Sequence, residues 1–205
     1  VHGFVGTISS ADDFNLTFTS YTGTWQSLYI GPLKDLDEVI KYCEALPAEA
    51  ALPRYLGIAQ ILKAYYFGMM VDMWGDVPYF SAFNANNSAE PEKNPAYDDS
   101  AAIYADLLTL IDAGIVNMKT PSATSAAPGD LIYAGNLTRW EKAANSIKLK
   151  LLMNTRRVQN NDAAIAALFT LPAPGLITAT ADDMQFQFGR LLSPDNRHPW
   201  YQNAY

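Results

Sequence analysis

Five residues near the C-terminal end of the sequence have the side-chain types of a ligand-binding surface. They are Asn196, Arg197, Trp200, Tyr201 and Asn203. Flat aromatic rings pack on the C–H faces of sugar rings, and amide and guanidinium groups bind sugar hydroxyls. These residues are therefore the predicted binding site, with a carbohydrate as ligand. The competing interpretation is that the aromatic side chains pack against structure outside this chain.

Neighbouring carboxylates are the other candidates for chemistry. They form three pairs along the chain, Asp72 with Asp76, Asp98 with Asp99, and Asp182 with Asp183. A glycoside hydrolase needs two carboxylates about 5–9 Å apart across a cleft. Neighbours at helix ends are instead typical of helix caps and solvated charge. No nucleophile elbow, phosphate-binding loop or paired-cysteine motif is present, so no catalytic residue is predicted. An all-α glycoside hydrolase is kept as the enzymatic alternative.

The composition narrows the class of protein. Of the 205 residues, 49% are hydrophobic, 12% aromatic and 17% charged, which excludes a disordered chain. The net charge of −7 argues against nucleic acid as a partner. One cysteine, Cys43, and two histidines cannot supply an internal disulfide or a site made of Cys and His alone. No cofactor is predicted, and only a calcium site of carboxylates and carbonyls stays open.

Helical periodicity dominates the first half of the chain. A first helix is predicted from residue 24 to 46, kinked at Gly31-Pro32 because Pro32 has no N–H to donate. Its polar residues, Asp37 among them, are expected to face away from the apolar stripe. A second helix over 52–74 should end at Gly75. Its predicted buried stripe consists of Tyr55, Ile58, Ala59, Leu62, Tyr65, Tyr66, Met69, Met70 and Met73.

Helices and long loops also make up the second half. A third helix should start at Asp98-Asp99-Ser100, and a fourth at a capping box over Thr138–Glu141. A short fifth helix is predicted over Asp162–Phe169, and Asp183–Phe188 is the only strand-like alternation. Loops are predicted over 84–99 and 119–136. The sequence thus predicts an all-α fold of antiparallel helical hairpins, pairing 24–46 with 52–74 and 99–118 with 138–159.

Three ordered segments resemble the SusD/RagB-like outer-membrane nutrient-binding lipoproteins. The first runs from Leu56 through the turn Trp74-Gly75-Asp76-Val77-Pro78-Tyr79. The second is 94–107, which begins Asn94-Pro95-Ala96-Tyr97-Asp98. The third is 129–146, with Gly129-Asp130 and Thr138-Arg139-Trp140. The resemblance covers roughly residues 20 to 200. The three segments follow one another in the family's order, so a chance match is a poor explanation.

The resemblance implies a function and a location. Members have a helical body with tetratricopeptide-like hairpins and long loops, and they lie at the cell surface on the outer membrane. They bind a glycan or related nutrient without catalysis and deliver it to a SusC-like TonB-dependent transporter. Their N-terminal lipidated cysteine has no counterpart here, since Cys43 lies within a helix. Members are also longer, so residues 1–205 are expected to be one partial domain, an N-terminal-half fragment.

Three further interpretations concern the helices. A tetratricopeptide-like protein-interaction scaffold would need a peptide groove lined by the cations of the fourth helix, Lys142, Lys148, Arg156 and Arg157. These cations spread around the helix, which argues against that alternative. A membrane span over 55–71 is disfavoured by Lys63 near its centre. The aromatic residues beside the helix ends are predicted to be core residues, and they are Trp74, Tyr79, Tyr133 and Trp140.

Overall fold

The structure is a computed structural model that describes residues 17, 19–84, 94–191 and 196–204. Seven α-helices lie in these ranges: α1 (Thr22–Leu28), α2 (Lys34–Ala45), α3 (Pro53–Trp74), α4 (Ser100–Lys119), α5 (Leu137–Thr155), α6 (Asp162–Phe169) and α7 (Pro199–Ala204). The described residues contain no β-strand, and one isolated bridge joins Val77 to Asp98. The predicted all-α fold is confirmed. The strand-like pattern over Asp183–Phe188 is not a strand, because no described segment pairs with it.

The first predicted helix is kinked where Pro32 requires it. A π-helical turn over Tyr29–Leu33 joins α1 to α2, and Gly31 leaves helical geometry with φ −92° and ψ −109°. Cys43 lies within α2, as predicted, and is buried. Asp37 was expected to face outward, and this is wrong. It is 7% exposed and forms ion pairs with Lys63 at 2.7 Å and Lys41 at 2.8 Å, so two cations compensate its burial.

Helix α3 is the centre of the fold, since it packs against α2, α4 and α5. Ile61, Phe67 and Met70 have no exposed surface. The helix ends as predicted at Gly75, where a φ of 74° suits glycine and the backbone N–H donates to the Val71 carbonyl at 2.9 Å.

The buried face of α3 differs from the predicted stripe. Most of that stripe is only half-buried, and Met73 is 47% exposed. The deepest face instead carries the small residues Gly57, Ala64 and Gly68 together with Gln60 and Phe67. Small residues allow a neighbouring helix to approach closely, and the gain in packing there outweighs the larger apolar area of the tyrosines and methionines.

The predicted hairpin partners are neighbours, but the most extensive packing joins α3 to α4, which belong to different predicted hairpins. The two helices are antiparallel. The Asn117 amide donates to Gln60 at 2.8 Å near one end, and the Tyr104 hydroxyl donates to Asp72 near the other. Helix α4 is long and apolar enough to cross a membrane by length and composition, with a mean hydropathy of 1.4. Core helices pass the same test, and its inner face is fully buried.

Helix α5 starts two residues earlier than a Thr138 cap would allow. The Asn136 side chain is the N-cap and accepts the Arg139 N–H at 3.0 Å, so the predicted capping box is wrong. Glu141, its proposed reciprocal partner, instead binds Lys119 on α4 at 2.9 Å. The predicted burial of Trp140 is confirmed, since it is 1% exposed, and α6 has the predicted bounds.

Candidate functional site

The predicted binding residues lie beside a groove at the C-terminal end. The short helix α7 and the irregular segment before residue 191 enclose a cavity of about 490 Å³. Two predicted residues, Arg197 and Tyr201, line it. The remaining lining residues are Phe188, Gly189, Arg190 and His198. The groove therefore combines aromatic rings with two guanidinium groups.

Arg197 and Tyr201 are brought together by the first turn of α7. The guanidinium carbon of Arg197 lies 5.4 Å from the centre of the Tyr201 ring, a cation–π distance. Tyr201 is 52% exposed. This pair can offer an aromatic surface and hydrogen-bond donors to one ligand at the same place.

Trp200 is more exposed than its neighbour Tyr201. It is 73% exposed and does not line the groove, although its neighbour Tyr201 does. Its backbone N–H donates to His198 Nδ1 at 3.2 Å, which fixes the start of α7. The indole ring is thus presented on the surface beside the groove.

Asn196 holds the loop that forms one wall of the groove. Its side-chain Oδ1 accepts the Leu191 N–H at 2.9 Å, and its backbone carbonyl accepts the Gly189 N–H at 2.8 Å. This arrangement gives Asn196 a positioning role, since its side-chain oxygen is engaged by the loop. The side chain of Asn203 lies outside the described part of the structure.

The groove also contains residues that sequence reasoning missed. Phe188 stacks edge-on against Phe186 at 4.9 Å and against His198 at 4.7 Å. Both phenylalanines lie in the stretch Asp183–Phe188, whose alternation is strand-like. Phe186 and Phe188 lie close in sequence to the predicted binding residues. This proximity is the sequence signal that could have predicted their contact with the site.

Two of the paired carboxylates, which are predicted to be solvated or to cap helices, bind side chains of α5 instead. Asp72 accepts hydrogen bonds from Lys150 at 2.9 Å, from Asn154 at 2.8 Å, and from Tyr104. Asp182 forms an ion pair with Lys142 at 2.6 Å. These two carboxylates tie other parts of the chain to α5, a contact that sequence spacing does not reveal.

The other paired carboxylates hold turns. Asp99 is the predicted cap of α4 and accepts the Ala102 N–H at 2.9 Å. Asp98 binds the backbone N–H groups of Tyr79 at 2.7 Å and Phe80 at 2.9 Å instead of capping the helix. Within the described ranges, no three His, Cys, Asp or Glu side chains come together in a group that could hold a metal ion.

Three of the four aromatic residues predicted to be core residues are buried. Trp140 is 1%, Tyr133 5% and Tyr79 8% exposed. Burial raises the pKa of Tyr79, and its hydrogen bond to Asp106 at 2.5 Å raises it further. Trp74 is only half-buried and packs edge-on against Trp25, with ring centres 5.2 Å apart.

The cations of α5 do not form a peptide groove. Lys142 is paired with Asp182 and Lys148 with Asp112, each at 2.6 Å. Arg156 and Arg157 lie exposed at the end of the helix. Because intramolecular carboxylates already neutralise two of the four cations, these cations do not form a continuous positive surface that could bind a peptide carboxylate.

The comparisons with known proteins cover nearly the whole chain. Residues 4–204 match the model of the SusD-like family that is described as starch-binding and associating with the outer membrane. No curated protein sequence matches the chain significantly.

Solved structures share the fold. A chitin-binding protein is 26% identical with a TM-score of 0.68, over 83% of this chain and 35% of that one. A SusD homolog from Bacteroides fragilis is 23% identical with a TM-score of 0.71, over 98% of this chain and 40% of that one. A chitin-binding SusD homolog from Flavobacterium johnsoniae is 17% identical with a TM-score of 0.71, over 90% and 37%. This chain therefore spans less than half the length of these structures.

Proposed function

The chain belongs to the SusD-like family, which associates with the outer membrane, and on that premise we propose that it binds a carbohydrate at the cell surface and delivers it to a SusC-like TonB-dependent transporter. A lipid anchor upstream of the helical body would hold the protein at the membrane. The family is described as starch-binding, and a structural neighbour at 26% identity is described as chitin-binding. Both ligands are polymers of pyranose rings, so a polysaccharide or its oligosaccharides are the proposed ligand class.

One observation carries the proposal beyond family membership. Arg197 and Tyr201 lie side by side in an open groove, with the exposed indole of Trp200 next to them. Exposed apolar side chains that are grouped in one patch mark interaction sites, whereas those scattered singly do not. Combined with guanidinium donors, they supply both halves of sugar recognition, a stacking face and hydrogen bonds to hydroxyls.

The proposed role is binding without catalysis or a cofactor. Asp72, Asp98 and Asp182 are engaged by lysines or backbone N–H groups. A general acid or nucleophile must instead face the substrate across a cleft. Catalysis would be detected as release of reducing sugar that disappears when one aspartate is replaced, and this result would favour the hydrolase alternative.

Calorimetry on the full-length protein tests the proposal. Maltoheptaose represents starch, chitohexaose represents chitin, and an acidic peptide of similar size is the control. We expect saturable binding of one oligosaccharide and none of the peptide. Binding of the peptide alone would favour the interaction scaffold, and binding of no carbohydrate would contradict the proposed function.

The transporter part of the proposal needs its own measurement. Affinity capture with the full-length protein from outer-membrane extracts should retain a large TonB-dependent β-barrel protein. The same capture with a soluble fraction serves as control. If the β-barrel protein is absent from the captured material while carbohydrate binding persists, binding stands and delivery to a transporter is wrong.

A further inference from the structure

A second aromatic pocket lies away from the C-terminal groove and shares no lining residue with it. It has a cavity volume of about 280 Å³. Its lining residues come from α1, from the end of α3 and from the segment before α4, and they are Thr22, Trp25, Trp74, Asp76 and Tyr97. The volume lies just below the range for drug-sized ligands, roughly 300–1,000 Å³, which suits a single sugar ring.

The three aromatic rings are in contact through Trp25, and one face of the Tyr97 ring is exposed. Tyr97 stacks on Trp25 with ring centres 6.2 Å apart and 26° between the planes. Trp74 meets Trp25 edge-on at 5.2 Å and 89°. Tyr97 is nevertheless 67% exposed, so Trp25 covers only one of its faces. The other face is available for stacking.

A carboxylate is fixed beside these rings. Asp76 Oδ1 accepts the Ser100 N–H at 2.9 Å, which holds the side chain in place at the start of α4. Among the described residues, Asp76 Oδ2 makes no hydrogen bond, and the residue is exposed. An anchored carboxylate oxygen can accept hydrogen bonds from sugar hydroxyls while the ring stacks on an aromatic face.

We propose that Trp25, Trp74, Tyr97 and Asp76 form a second carbohydrate subsite that holds one sugar ring. The ligand class rests on the proposed function, whereas the place of the subsite rests on this pocket alone. Two separate subsites would let the protein hold a polymer at two points, which strengthens binding without a new contact at either point.

The test is oligosaccharide binding by variants of the full-length protein. Tyr97→Ala removes an exposed ring, and Asp76→Asn removes the charge but keeps an acceptor for the Ser100 N–H. Tyr42→Ala is the matched control, because Tyr42 is a 61% exposed tyrosine on α2 that does not line the pocket. Calorimetry with maltoheptaose and chitohexaose should show at least a fivefold loss of affinity for Tyr97→Ala and Asp76→Asn, and no change for Tyr42→Ala.

The outcomes separate the subsite from the proposed function. If the unmodified protein binds an oligosaccharide and both pocket variants bind it equally well, the subsite is wrong and the proposed function stands. If the unmodified protein binds neither oligosaccharide, the subsite and the proposed function are both wrong. Indole N–H signals of Trp25 and Trp74, assigned by Trp→Phe variants, give a direct second readout. They should shift when the bound oligosaccharide is added, and unchanged signals during saturable binding would also overturn the subsite.

Discussion

Gly57 of α3 and Gly114 of α4 lie against each other where the two helices pack. A Cβ atom on Gly57 would lie 2.3 Å from the Gly114 carbonyl oxygen, and one on Gly114 would lie 2.8 Å from the Gly57 carbonyl oxygen. Neither distance can accommodate a side chain. The central contact of the fold therefore depends on two residues that have none.

Replacing Gly57 by alanine should destabilise the protein although alanine is the better helix former. The added methyl group meets backbone atoms, which can move only if the helices separate. We expect the free energy of unfolding to fall by about 1–3 kcal/mol, the usual cost of overpacking. Urea denaturation measures this. Gly23→Ala in α1 is the control, since its Cβ would meet nothing within 4 Å, and it should leave stability unchanged or higher. Equal effects of the two substitutions would refute the close contact.

The turn before α5 is organised by a single buried carboxylate. Asp130 accepts the backbone N–H groups of Ile132 and Tyr133 at 3.0 Å and of Gly135 at 2.8 Å, and the Trp140 indole N–H at 2.7 Å. Asp130→Asn cannot accept all four bonds. We expect it to cost about 2 kcal/mol or more, since hydrogen bonds to charged groups contribute about 1.5–3 kcal/mol each.

The matched control for that substitution is Asp112→Asn. Asp112 pairs with Lys148 at 2.6 Å, but its side chain is 57% exposed. Exposed ion pairs contribute about 0–1 kcal/mol, so this variant should unfold at nearly the same urea concentration as the unmodified protein. A loss as large as that of Asp130→Asn would show that the turn is not specially stabilised.

The hydrogen bonds of Asp130 also imply that the free energy of unfolding depends on pH in acid. Burial alone would raise the pKa of its carboxyl group, but the four hydrogen bonds outweigh burial and lower it. The stabilisation is thus complete above the unfolded-state pKa of about 3.9 and is lost as the pH falls through the lower folded-state value. Urea denaturation between about pH 5 and pH 2 should show this decline, and Asp130→Asn should make it shallower. Parallel curves would contradict the assignment.

Tyr104 predicts the opposite dependence in alkali. Burial, and then its hydrogen bond to Asp72, raise the pKa of Tyr104 to about 12. The unfolded chain loses this proton near pH 10, so the contribution is complete below about pH 10 and is lost as the pH rises toward about 12. Tyr104→Phe should remove this part of the alkaline decline, as followed by urea denaturation. Tyr42→Phe, at an exposed position, should leave the decline as it is.

The C-terminal groove and the exposed Trp200 beside it predict two substitutions that weaken ligand binding without unfolding the protein. Trp200 and Tyr201 are 73% and 52% exposed, so their replacement by alanine removes little internal packing. We expect each to reduce oligosaccharide affinity about tenfold, equivalent to about 1.4 kcal/mol. Phe169→Ala, at a 68% exposed ring on α6, is the control for loss of an exposed aromatic. Calorimetry that finds equal affinities for all four proteins would remove this surface from the binding site.

Local features of the fold could be predicted from sequence because their causes are local. Pro32 requires a break in the first helix whatever surrounds it, and Gly75 can adopt the positive φ that ends α3. The bounds of α6 follow from its own short apolar pattern. The cap of α5 was predicted wrongly, because the spacing of Thr138 and Glu141 matches a capping box although the structure uses Asn136, two residues earlier.

Features that depend on which helices are neighbours could not be predicted. Helix α3 is apolar on nearly all sides, so periodicity could not identify the face that α4 covers, and the small residues that decide it carry no hydrophobic signal. The burial of Asp37 is compensated by Lys63, 26 positions away. The contact of Phe188 with His198 could not be predicted either, because it depends on how the chain folds back on itself between them.

The sequence by itself determined the fold class, most of the helices and the family, and it indicated the residues of a candidate binding surface, because composition, periodicity and motif order are properties of the chain alone. Tertiary structure decided which residues meet. In the folded chain, Gly57 contacts Gly114, and Arg197 and Tyr201 line one groove. Trp25, Trp74 and Tyr97, which come from three separate segments, line one pocket. These contacts depend on how closely helices approach one another, a balance of packing over the whole core that no local pattern records.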